Sequence, residues 1–108
     1  MDAYLNKIYE MMYLPIVSPY NLLENAKIDN YSYVKYYNSD EGLIAEMKCD
    51  VPREGEKTFY YHFDKKDYLK KIYMEVDGIK EIVFDRNKAI QEAKSEYFAL
   101  RSQYDEAI

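Results

Sequence analysis

The chain carries one imidazole, His62, and one thiol, Cys49. Set within hydrogen-bond reach on one side of a scaffold, they would form a nucleophilic pair in which the imidazole takes the thiol proton. Carboxylates come in close couples: Asp40-Glu41, Glu54 with Glu56, Asp64 with Asp67, and Asp105-Glu106. A glycosidase or a carboxylate metal centre needs such pairs fixed in a cleft by a rigid scaffold. These couples fall in turn-like segments or at the chain end, where acids serve as turn formers and solubilisers. The run DKKD (Asp64 to Asp67) is far shorter than a calcium loop of about twelve residues with alternating oxygen ligands. Each glycine has an acidic neighbour that would repel a phosphate, and no serine sits in a nucleophile elbow. A single cysteine excludes an internal disulfide and a cysteine-rich zinc site. These residues predict no catalytic constellation, no metal and no cofactor.

The elements that must position these groups follow from periodicity. Leu5, Ile8 and Met12 recur at helical spacing behind Asp2, a candidate cap, and Pro15 should end that helix. Ser18-Pro19 reads as a cap followed by proline at the first helical position, with a short helix through Leu22, Leu23 and Ala26 closed by Asp29-Asn30. From Tyr31 the period becomes two. Strands are expected at 31–37, 43–51, 57–63, 68–77 and 79–84, joined by NSDEG, PREGE, DKKD and Asp77-Gly78. Connectors this short favour antiparallel hairpins, and Asp-Gly suits a type I′ turn. Ile90, Ala93, Tyr97, Leu100, Tyr104 and Ala107 then mark a long amphipathic helix over 86–107, with Asp85 as its cap. The expected fold is α+β: an antiparallel meander of about five strands with two short N-terminal helices and a long C-terminal helix packed on the sheet. It forms a single domain over 1–108, with 1–28 helical, 31–84 the sheet and 86–107 the closing helix.

Counting through the turns fixes an expected register. Tyr33 faces Met47, Tyr31 faces Cys49, Cys49 faces Phe59, Met47 faces Tyr61, Phe59 faces Ile72, Ile72 faces Val83 and Val76 faces Ile79. One face then collects Tyr31, Tyr33, Tyr37, Met47, Cys49, Phe59 and Ile72, with Lys35, Lys70 and Glu81 as misfits. The opposite face takes Val34, Tyr36, Ile44, Glu46, Tyr60, His62 and Tyr73. This parity separates Cys49 from His62, and sets Glu46 across from His62, where it would favour the imidazolium.

Composition completes the reading. The 108 residues hold 14 Tyr, 4 Phe and no Trp, and 20 acidic against 15 basic residues give a net charge of −5. Nothing concentrates Lys and Arg with aromatics, so neither nucleic acid nor an anionic membrane is an expected partner. The N-terminus has no basic, apolar leader pattern and no run is long enough to span a bilayer, which predicts a cytoplasmic protein. Tyrosine is a large hydrophobe with a polar handle, suited to interfaces. The sequence therefore predicts a small acidic, non-enzymatic protein-binding factor of the inhibitor, immunity or phage counter-defence kind, occupying a basic site on a larger protein. Its expected contact residues are Tyr36, Ile44, Glu46, Tyr60, His62 and Tyr73 on the outer face, with Asp40, Glu41, Glu54 and Glu56 in the loops. Two alternatives remain open. One is a small-molecule domain with a tyrosine-lined pocket, and the other a structural homodimer through Ile90, Tyr97, Leu100 and Tyr104.

Overall fold

The computed structural model of the chain describes residues 2–14 and 16–107. The side chains of Asp2 and of residues 104–107 fall outside that description, as does Pro15, so the expected cap, helix stop and Tyr104 contact lie beyond it. Helix α1 (Asp2–Tyr13) and a 3₁₀ helix (Asn21–Lys27) precede strands β1 (Tyr31–Ser39), β2 (Gly42–Val51), β3 (Gly55–Phe63), β4 (Leu69–Val76) and β5 (Ile79–Asp85), and helix α2 (Arg86–Ala107) closes the chain. The strands form one antiparallel sheet in chain order, so the fold is the expected α+β meander.

Local chemistry explains most boundaries. Asn21 N–H donates to Ser18 Oγ at 3.3 Å while Ser18 N–H donates to Asn21 Oδ1 at 3.0 Å, a reciprocal pair across the turn into the 3₁₀ helix, whose N-cap is Tyr20 and not the expected Ser18. Asp85 Oδ1 accepts from Lys88 N–H at 3.3 Å at the head of α2. Asp77 and Gly78 have φ of 51° and 80°, the two positive values a type I′ turn requires, and they pair Val76 with Ile79 as expected.

The first hairpin departs from expectation. Its turn is only Asp40-Glu41, because Gly42 is already a strand residue paired with Ser39. Gly42 has φ 146°, and a Cβ there would collide with the Phe63 carbonyl oxygen and lie 2.8 Å from the Asp64 carbonyl carbon. One residue of slip exchanges the two faces of a strand. Val34 and Tyr36 therefore turn inward opposite Met47 and Ala45, while Tyr33, Lys35 and Tyr37 turn outward, which corrects the expected positions of Tyr33, Val34, Tyr36 and Tyr37. A bulge between Tyr31 and Tyr33 restores parity, so Tyr31 does face Cys49.

The next two hairpins are offset by two residues, which moves partners without changing faces. Cys49 pairs with Lys57 and Met47 with Phe59, in place of Phe59 and Tyr61. Phe59 pairs with Met74 instead of Ile72. A second bulge, at His62/Phe63, displaces Lys70 from the regular pleat, and a third, between Ile72 and Tyr73, sets Phe84 opposite Ile72 where Val83 was expected.

The inner face builds the main core. Leu22, Ala45, Met47, Phe63 and Leu69 are buried together, with Val17, Val34 and Tyr36 packed around them. The 3₁₀ segment thus supplies much of the cover. Helix α2 meets the sheet at β4 and β5, and along its length it packs chiefly on α1. There Ile8 and Met11 enclose Ala93, flanked by Ala89, Ile90 and Tyr97. The result is elongated, 56 × 33 × 24 Å with a radius of gyration of 17.2 Å, against about 13 Å for a compact chain near this size.

One side chain joins the helical pair to the sheet. Arg86 is 8 % exposed. Its guanidinium donates to the Leu14 carbonyl at 2.9 Å and the Leu69 carbonyl at 3.3 Å, and lies 5.0 Å from the centre of the Tyr68 ring. Tyr68 Oη donates to the Tyr13 carbonyl at 2.8 Å. Both side chains thereby occupy the carbonyl end of α1, which has no basic residue in its last turn and whose partial negative charge favours a cation. Replacing Arg86 by Met should cost about 2–3 kcal/mol, and Tyr68→Phe roughly 1 kcal/mol, both read from urea unfolding. A loss below 0.5 kcal/mol (about half the value of one ordinary hydrogen bond) for Arg86→Met would show that the tie is idle.

Candidate partner-binding face

The outer face of the sheet brings together Ile44, Glu46, Tyr60, His62 and Tyr73, as the sequence predicts, and adds Tyr33, Lys35, Tyr37 and Lys80. Tyr36 is absent from it: its ring packs against the inner core and its hydroxyl donates to the Pro19 carbonyl at 2.8 Å. The N-terminal cover lies on the inner side, where Val17 and Leu22 meet Ala45 and Met47. Of the tyrosines on the outer face, Tyr33, Tyr60 and Tyr73 are half-buried, and Tyr37 is exposed, at 39 %.

Glu46 organises the β1–β2 half of this face. Its carboxylate accepts from Tyr33 Oη at 2.7 Å and from Tyr37 Oη at 3.0 Å, and Lys35 Nζ stands 3.2 Å away. Burial pushes its pKa up, but the two phenols and the ammonium outweigh burial and hold the carboxyl below its ordinary value. The phenols respond in the opposite sense. The hydrogen bond to Glu46 raises Tyr33 to about 12, and burial followed by that same bond raises Tyr37 to about 12.

The β3–β4 half is organised differently. Glu46 faces Tyr60 and His62 faces Ile44, so the expected Glu46–His62 pair is not formed. His62 meets the Tyr73 ring edge-on at 4.9 Å between centroids. Burial, then the positive charges of Lys80, Lys70 and Lys71, lower its pKa against a smaller opposing pull from Glu41. This reverses the imidazolium expectation, and its cause is the two-residue offset of β3. Tyr60 Oη donates to Glu75 Oε2 at 3.3 Å, and Lys80 Nζ sits 4.1 Å from the centre of the Tyr60 ring.

The acidic loop residues are not gathered into one place. Asp40 and Glu41 lie at one end of the sheet, Glu54 and Glu56 at the other. Three of them reach lysines: Glu41 to Lys70 at 3.2 Å, Glu54 to Lys57 at 3.0 Å and Glu56 to Lys48 at 3.3 Å. All three acids are well exposed, so these pairs add little stability. Cys49 is buried on the inner face, away from His62, and burial pushes its thiol up. Among the described residues no group of three or more His, Cys, Asp or Glu is arranged to hold a metal ion. Among the described residues, no helix is long and apolar enough to cross a membrane. Of the stripe proposed for a homodimer, Ile90 and Tyr97 are half-buried against α1, while Leu100 is 37 % exposed. A notch of about 170 Å³ between Pro19, Tyr20, Leu23, Tyr36 and Leu43 is lined by tyrosine, but falls short of the roughly 300 Å³ at which ligand pockets begin.

The titrations give two expected outcomes. Because Tyr33 and Tyr37 ionise above the ordinary 10.0 in the folded chain, their contribution to stability is full below pH 10 and lost as pH rises through about 12. Ultraviolet titration should place Tyr33 and Tyr37 among the late-ionising phenols, and Glu46→Gln should return Tyr33 towards its ordinary value. Unchanged late ionisation in that variant would contradict the network. Proton NMR should place the His62 midpoint below 6.5, with Lys80→Gln moving it up; a midpoint at or above 6.5 refutes the stated environment. Comparison of the chain with protein-family models, with curated proteins and with solved structures finds no match.

Proposed function

We propose that this chain is a small, non-enzymatic protein-binding factor that docks a larger partner through the outer face of its sheet. The observation carrying this reading is the cluster of Tyr33, Tyr37, Tyr60, His62 and Tyr73 on one face, around a buried Ile44, with the N-terminal cover packed on the other. Half-buried tyrosines held by neighbours lose little freedom on binding and present both ring and hydroxyl, which is how interface anchors gain their energy. Glu46 and Glu75 fix Tyr33, Tyr37 and Tyr60 in place before any partner arrives.

Charge sets the kind of partner. The face mixes Lys35 and Lys80 with Glu46 and Glu75, and its two ends add Asp40 and Glu41 at one and Glu54 and Glu56 beside Arg53 at the other, on a chain of net charge −5. Asp40 and Glu41 at one rim, and Glu54 and Glu56 at the other, would steer the face towards a basic site. An inhibitor or immunity-type protein works by occupying such a site.

Affinity capture with the wild-type chain, a Tyr37→Ser/Tyr73→Ser variant and an Asp40→Asn/Glu41→Gln variant tests the proposal. Proteins retained by the wild type should be lost with the tyrosine variant, each anchor being worth about 2 kcal/mol or roughly thirtyfold in Kd. The acid variant should keep the same proteins but associate more slowly, with weaker dependence on salt. Retention of the same proteins at equal strength by the tyrosine variant, or of none by the wild type, would refute the proposal.

A further inference from the structure

We propose that the cleft between β4, the β3–β4 loop and the start of α2 binds a small organic anion, a phosphate or carboxylate carrying an apolar body. The cleft holds about 530 Å³, within the range of ligand sites, roughly 300–1,000 Å³. Lys66, Lys70 and Arg86 line it against a single carboxylate, Asp64. That is an inverted charge balance on a chain whose net charge is −5.

Asp64 is already committed to the loop. Its Oδ1 accepts from the backbone N–H of Lys66 at 2.8 Å and of Tyr68 at 3.0 Å. Arg86, more than nine-tenths buried, has no carboxylate within ion-pair distance among the described residues; its recorded partners are two carbonyls. A guanidinium carries five N–H donors, so these two bonds leave capacity for an oxyanion. Asn87 adds a side-chain amide and lies in the first turn of α2, where backbone N–H groups lack helical acceptors. Lys70 is shared with Glu41 at 3.2 Å, and both are partly exposed, so the ammonium can turn to a ligand at small cost.

The rest of the lining sets the ligand's other half. Met12 from α1 and Ile90 from α2 close one side with apolar surface, which suits a ring or short aliphatic body and gives a bare inorganic ion nothing to touch. The cleft shares no aromatic residue with the tyrosine face and meets its rim through Lys70, which pairs with Glu41, so Tyr37→Ser/Tyr73→Ser leaves the cleft residues in place to be measured.

The test is a ¹⁵N-resolved NMR titration at constant ionic strength with phenyl phosphate, benzoate, inorganic phosphate and phenol as probes. Phenyl phosphate or benzoate should give saturable shifts at the amides of Lys66, Tyr68 and Asn87, and the stronger of the two identifies the preferred head group. Inorganic phosphate should bind at least about fivefold more weakly, reflecting a lost gain of about 1 kcal/mol from apolar burial. Phenol should leave those amides unmoved. Arg86 is a structural tie, so the decisive variant is Lys66→Gln/Lys70→Gln, whose residues sit at or near the surface. It should keep a dispersed spectrum and lose roughly fivefold or more in affinity. Shifts that do not saturate, equal shifts with phenol, or full affinity in the double variant would each overturn the assignment.

Discussion

A buried cation with no carboxylate partner among the described residues ties the helices of this molecule to its sheet. Helix α1 is 12 residues long, close to the length at which an isolated helix is marginal in water. Its carbonyl end receives no basic residue of its own and takes Arg86 from the far end of the chain, with Tyr68 closing over the guanidinium. The contact connects residues 72 apart in sequence. Three elements meet there: the end of α1, the start of β4 and the start of α2. The dipole of one helix replaces the counter-charge that a buried arginine ordinarily requires.

From that junction the fold divides its apolar surface in two. Phe63, Met47 and Leu69 are enclosed between the sheet and the 3₁₀ segment, and Ile8, Met11 and Ala93 between the helices. Neither cluster is large. The division leaves the outer sheet face to a polar arrangement in which phenols, carboxylates and ammonium groups satisfy one another. Order on that face comes from directional bonds instead of from a covering layer, which keeps the rings in fixed positions while they remain reachable by solvent.

Much of this was legible from the residues. Period-two alternation located all five strands, and alternating spacings of three and four located α2. Two departures come from glycine and two from bulges in β3 and β4. Gly42 and Gly55 read as loop residues in the sequence, yet both open strands, paired with Ser39 and Val51. Taking Gly42 out of the first turn shortens it to two residues and reverses β1, which turns Tyr36 inward and Tyr33 and Tyr37 outward, against the expected parity. Lys35, a misfit under the expected register, was the available signal: reversing β1 places it on the outer face beside Glu46. Gly55 changed the offset by an even number, so Cys49 and His62 kept their faces while the Glu46–His62 pairing failed. The partner of α2 could be anticipated less well. Periodicity reveals a stripe but not its mate, although small residues such as Ala89 and Ala93 at its centre suit the close approach of another helix.

The placement of the lone thiol has a practical consequence. Cys49 is 3 % exposed on the inner face, between β1 and β3, with its sulfur against Tyr31. A water-soluble alkylating reagent cannot reach it until the strands around it separate. Its labelling rate is therefore a built-in clock for opening of the sheet, specific to one position and requiring no engineered probe.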